Sequence, residues 1–265
     1  MTVKDRYYNY TYSMTMTAAA LFFVTHGSSD RRSWLSLQNL VSLAQSRSDR
    51  LIGGGCLEGQ EITLAQQLEQ FAIKAIAIGI SEINILPMLL LAGVHVSEDI
   101  PAEVAIAQSK LQSKLQSKVQ ENLIFRITPH LGTDSQIPNL LLQHFQKFKN
   151  QKYRNTENLE KHGQILVSHG SRRVDANQVV EDLATHCQAI AAYWGVEPKI
   201  ETQIENLLAQ GITQINVLPY FLTEGGITEA IARKLDVYRD RAQIQLLPVP
   251  LSDQQIVDIA ISKKL

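Results

Sequence analysis

The chain repeats itself, and no other feature of the sequence limits its fold as much. The segment GISEINILPMLLLAG, which starts at Gly79, aligns without a gap on GITQINVLPYFLTEG, which starts at Gly211. Pro219 thus stands 132 residues after Pro87. Upstream of this match, LFFVTHGS from Leu21 pairs with ILVSHGS from Ile165; downstream, ITPHLGTD from Ile127 pairs more loosely with LPVPLSD from Leu247. Three matches in the same order indicate a tandem duplication. A length of 265 residues accommodates two α/β units of roughly 100–150 residues each.

Each copy alternates short apolar runs with longer helical stretches. Leu21–Val24 and Ile165–Val167 end in a Gly turn, Ile83–Leu86 and Ile215–Leu218 end at a Pro, and Leu123–Ile127 and Ile244–Leu247 make a third pair. Runs of this kind suit parallel strands buried on both faces. Helical periodicity spans Thr63–Ile76, Ala102–Val119, Val174–Ala192 and Ile200–Leu208. Within QSKLQSKLQSKVQ, Leu111, Leu115 and Val119 form a narrow apolar stripe on a solvated helix. The order predicts an α/β fold of two tandem repeats, each a parallel β-sheet flanked by helices with right-handed crossovers. The expected boundaries are a disordered, tyrosine-rich extension at 1–19, an N-terminal repeat carrying the active site at 20–149, a polar linker at 150–163 and a C-terminal repeat at 164–265.

Composition excludes several classes. Twenty-five Lys and Arg against 26 Asp and Glu leave no basic excess for a nucleic-acid footprint. No apolar run approaches the roughly 18–20 residues of a membrane span. Cys56 and Cys187 form no C-x-x-C motif, which argues against a zinc knuckle or iron–sulfur cluster and fits a reducing cytoplasm.

In a parallel α/β sheet, ligands bind beyond the carboxyl ends of the strands. The first run leads into Thr25-His26-Gly27-Ser28, where Gly27 permits a tight turn and Ser28 and Ser29 can cap the next helix. The second leads to a loop-like passage with His95, Glu98, Asp99 and Pro101. A His-Gly-Ser turn alone is common. Two imidazoles converging from two strand ends, however, suit a first-row divalent metal and can accept a proton. Glu98 and Asp99 either take protons or serve as acids in the first turn of a helix. His130, His144, His162 and His186 read as ordinary solvated residues. A phosphatase of the histidine type would need Arg directly before His-Gly, where Thr25 and Ser168 stand.

The segments VTHGSSDRRS, PMLLLAGVHVSEDIPAEV and ILVSHGSRRVDAN resemble the sirohydrochlorin cobalt/iron chelatases, the class II chelatases of siroheme and cobalamin biosynthesis, in their long two-repeat form. The resemblance covers most of residues 21–265, and its specific part is the passage around His95. It implies insertion of Fe2+ or Co2+ into sirohydrochlorin, with His26 and His95 as catalytic and metal-holding residues. It implies no cofactor beyond the substrate metal ion, a monomer, and no nucleic-acid or membrane partner. Ser28, Arg31, Arg32, Glu98, His169 and Arg172 are expected to face the substrate, whose many carboxylates suit arginine, with Arg173 a candidate beside Arg172. The second repeat keeps His169 but has Ile227 in the place of His95, so a single site in the first repeat is expected, with His169 lining the cleft or left over. Binding and insertion draw on the same residues. A non-catalytic tetrapyrrole or metal carrier therefore stands as the alternative.

Overall fold

The computed structural model describes residues 19–114, 123–152, 162–173 and 176–263. Its first half runs β1 (Ala20–Gly27), α1 (Arg31–Ser46), β2 (Ile52–Glu58), α2 (Leu64–Ala77), β3 (Glu82–Pro87), α3 (Ile100–Lys114), β4 (Ile124–Ile127) and α4 (Ile137–Lys152). The second repeats the order as β5 (His162–Ser168), α5 (Gln178–His186), β6 (Ile190–Tyr193), α6 (Ile200–Ala209), β7 (Gln214–Pro219), α7 (Gly226–Leu235), β8 (Gln243–Leu246) and α8 (Asp253–Ser262). All strands pair in parallel, in the orders β2-β1-β3-β4 and β6-β5-β7-β8. The two halves are therefore copies of one α/β topology. The expected extension at 1–19 lies outside the described residues except for Ala19, and so do 153–161 of the expected linker.

Alternation along each strand sorts side chains into layers. From β1, Leu21 and Phe23 join an inner cluster with Leu37 and Leu40 of α1 and Leu141 and Phe145 of α4. Phe22 and Val24 join an outer cluster with Leu68 and Phe71 of α2 and Val104 and Leu111 of α3. In the second half Leu166 points inward and Ile165 and Val167 outward, toward α6 and α7. The inner cluster is shared: it runs from Leu21 and Leu37 to Leu166, Val180 and Val257. There α1 packs on α8 and α4 on α5, which relates the halves by an approximate twofold. Truncating a fully buried residue of this layer, such as Phe23, costs roughly 3–5 kcal/mol.

Local sequence explains the matched element ends. Thr63 and Gln66 form a capping box that starts α2. Gly79, with φ of 82°, ends it: Gly79 N–H donates to Ile76 and Ile80 N–H to Ala75. Gly211 ends α6 in the same way, donating to Leu208. These two glycines open the matched segments of the duplication.

Two elements differ from the expected pattern. The run Val174–Ala192 is not one helix: α5 stops at His186, Gln188 turns with φ of 55°, and β6 follows. β2 carries no apolar run because Gly53, Gly54 and Gly55 leave room that Phe71, Leu37 and Gln67 fill from the adjoining helices. Of the stripe on α3, Leu111 is buried; Leu115 and Val119 lie outside the described residues.

Candidate active site

The chain leaves β1 toward α1 on the inner face, and leaves β3 toward α3 on the outer face. Neighbouring strands whose connections part in this way open a crevice at their carboxyl ends. His26 stands on one wall, near the end of β1. His95 stands on the other, after β3. Their rings meet in a T-shaped contact with centroids 4.4 Å apart.

The turn under His26 is closely packed. Gly27 has φ of 82°, and a Cβ there would fall 2.1 Å from the carbonyl oxygen of Glu58, so only glycine fits. The Nδ1–H of His26 donates to the Gly27 carbonyl at 2.9 Å. His95 opens not a loop but a single π-helical turn, His95–Asp99, that runs directly into α3. In that turn Nδ1–H of His95 donates to Oδ2 of Asp99 at 2.6 Å. Carbonyl and carboxylate oxygens only accept, so both Nδ1 atoms carry a proton, and in the neutral tautomer that this selects, the lone pair lies on Nε2. An ion with metal–nitrogen bonds of about 2 Å can be shared by rings this close. Asp99 supplies the outer carboxylate that commonly orients a ligating histidine. Among the described residues no three of His, Cys, Asp and Glu converge as a metal cluster.

The other expected residues divide. Ser28 does not cap α1; its Oγ accepts from Asp30 N–H, and Asp30 is the cap, accepting from Arg32 N–H. Arg31 and Arg172 are exposed. Arg32 is held by Asp30 and, from the other half, by Glu229 at 2.6 Å, and these partners raise its pKa further. Glu98 pairs with Arg173 of the other half at 3.2 Å. His169 repeats the hydrogen bond of His26, donating from Nδ1 to Gly170, but lies exposed beside Gly195. Ile227, in the first turn of α7, packs against the outer cluster of its own half.

Two histidines expected to be solvated are in fact well packed. His130 is 9% exposed, and its Nδ1–H donates to the Leu89 carbonyl. Burial lowers its pKa, and nearby Lys263 lowers it further. His144 is partly buried between the halves and its pKa is lowered chiefly by burial. His162 is the first residue of β5, and His186 is exposed at the end of α5. Of the two arginines that follow the second His-Gly-Ser turn, Arg172 and Arg173, it is Arg173 that reaches the His95 turn.

The CbiX family model matches residues 20–148 and again 163–262. No curated protein sequence matches the chain significantly. Among solved structures, SirB from Bacillus subtilis with Fe3+ shares 18% identity and a TM-score of 0.73, covering 93% of this chain and 94% of that one. The sirohydrochlorin chelatase SirB from Bacillus subtilis subspecies spizizenii, in complex with cobalt, shares 17% identity and a TM-score of 0.66 over the same shares of the two chains. CbiX, the terminal enzyme for biosynthesis of siroheme in denitrifying bacteria, shares 19% identity and a TM-score of 0.61, covering 93% of this chain and 99% of that one. At these identities the likeness is one of fold.

Proposed function

This chain belongs to the CbiX family, whose model matches both of its halves, and we propose that it is a chelatase that inserts Fe2+ or Co2+ into a sirohydrochlorin-type tetrapyrrole. The observation that carries this reading is the pair of imidazoles, His26 and His95, held 4.4 Å apart at the strand mouths with their Nε2 atoms left for a metal. The relatives solved with Fe3+ and with cobalt support ions of this kind as the cargo.

Insertion exchanges two pyrrole N–H protons for one divalent ion. Imidazole is a borderline ligand, strong enough to take an Fe2+ or Co2+ ion from water and weak enough to give it to ring nitrogens. As the ion moves onto the ring, the Nε2 lone pairs of His26 and His95 become available to accept the leaving protons. Asp99 stabilises the imidazolium that then forms on His95, because its carboxylate lies 2.6 Å from the Nδ1–H. No helix among the described residues is long and apolar enough to cross a membrane.

The test is the absorbance change of sirohydrochlorin mixed with Fe2+ or Co2+, with the protein present in catalytic amount. Many turnovers per molecule are expected. A spectral change that stops at one equivalent of protein identifies a carrier and overturns the chelatase reading.

A further inference from the structure

Among the ion pairs that join the halves, two follow the same plan. Arg32 follows the His-Gly-Ser turn of the first half and reaches Glu229 in the first turn of α7. Arg173 follows the same turn of the second half and reaches Glu98, in the turn that carries His95. In each case the arginine belongs to one half and the glutamate to the other. The pairs are unequal in strength. Arg32 is shared by two carboxylates, with Asp30 and Glu229 both at 2.6 Å. Arg173 touches Glu98 through a single bond of 3.2 Å, between side chains that are 54% and 62% exposed.

Exposed pairs of this kind add little net free energy, so exchanging one carboxylate for another there costs little. A guanidinium accepts any carboxylate, and accepts it best through two parallel bonds, which Glu98 does not provide. Resting on the chelatase reading, we propose that Arg173 is the substrate-binding residue of the second half and that it exchanges Glu98 for a peripheral carboxylate of the tetrapyrrole. Glu98 occupies the arginine while the cleft is empty. Docking of the macrocycle releases Glu98, and with it the tether between the second half and the His95 turn. The substrate thus frees the turn bearing a metal-holding histidine only once the ring is in place.

Binding of metal-free sirohydrochlorin, followed by its fluorescence, tests the exchange without needing turnover. Arg173→Ala should weaken binding about tenfold or more, and Arg173→Lys should recover part of that loss. Glu98→Gln should tighten binding, because it removes the competing carboxylate, and the double variant should match Arg173→Ala. Co2+ binding in the absence of the ring should stay as in the wild type for Arg173→Ala. Equal weakening by Arg173→Ala and Glu98→Gln would show a merely structural ion pair and overturn the proposal, as would a wild-type protein that does not bind the ring. A wild type that binds the ring with this variant pattern but inserts no metal would sink the chelatase reading alone.

Discussion

The imidazole of His26 meets that of His95 edge to face, the ring planes 86° apart, although 69 positions of chain separate the two residues. A contact of this kind between neutral rings adds little stability where both are partly exposed; its value is in bringing two nitrogen lone pairs to one place. His26→Ala and His95→Ala should each lower kcat/KM about 100-fold or more, whereas His169→Ala should keep most of the activity, since Ile227 gives it no imidazole partner. Steady-state rates on the three variants decide this. His169→Ala as damaging as His26→Ala, at equal stability, would refute a single site.

On the chelatase reading, Asp99 would act on the metal through His95, to which it is hydrogen-bonded. Asp99→Asn keeps the size of the side chain and removes the charge, so Co2+ should bind roughly 10–100-fold more weakly while the thermal midpoint changes little. Titration of the cobalt absorbance band measures the affinity. Wild-type affinity in this variant would mean that the hydrogen bond serves the fold of the turn and not the metal.

Glycine positions give a graded test of the strand mouth. Gly79 has φ of 82° with open space around its missing Cβ, so Gly79→Ala should cost about 1–2 kcal/mol from backbone strain alone. Gly27 has the same φ, and its added Cβ would also collide with the Glu58 carbonyl. Gly27→Ala should therefore be clearly the more destabilising in urea unfolding, and should lower activity as well because His26 is its neighbour. Equal costs would show that the β1 and β2 ends can move apart freely.

Acid should weaken the fold through two histidines outside the cleft. Burial, foremost, lowers the pKa of His130 and of His144 from the ordinary histidine value of about 6.5. Below that value the unfolded chain takes up protons that the folded chain resists, so stability is full at higher pH and falls as pH drops from about 6.5 toward the lowered folded values. Urea midpoints at pH 7.5 and pH 5, about 1 unit or more to either side of that reference value, should show the loss in the wild type. They should show less of it in a His130→Asn, His144→Asn double variant. An unchanged slope in the double variant would place the acid sensitivity elsewhere.

Much of this architecture was legible because parallel strands buried on both faces are largely apolar, and β1, β3, β5 and β7 each carry a short apolar run, interrupted in β3 and β7 by the buried Asn84 and Asn216. β2 was not, since its three glycines have no side chains to declare a strand. β6 was hidden by a periodic run whose break, at Gln188, uses neither Gly nor Pro. The meeting of His26 and His95 could be anticipated from where strands end. The bond from His95 to Asp99 could not, because no residue of the passage marks it as a π-helical turn. Nor could the pairing of Arg173 with Glu98, 75 positions apart, which depends on how the two halves pack. The seclusion of His130 and His144 has the same origin: Lys263 closes over the carbonyls of Pro129 and His130, and His144 bonds to the backbone of Pro248.

The packing of α1 on α8 and of α4 on α5 is the arrangement by which two identical subunits would associate, each offering the same face. Held in one polypeptide, the two partners cannot part on dilution, and each meets the other at an effective concentration fixed by the chain between them. Identical subunits come from one gene, so every change appears in both copies. Fusion lifts that rule, and the chain departs from it where it matters: His95 on one side, Ile227 on the other. A symmetric pair would offer one macrocycle two equal loading stations for a single central ion. On the chelatase reading, the fused molecule would give the ring one side from which metal arrives and another against which to rest.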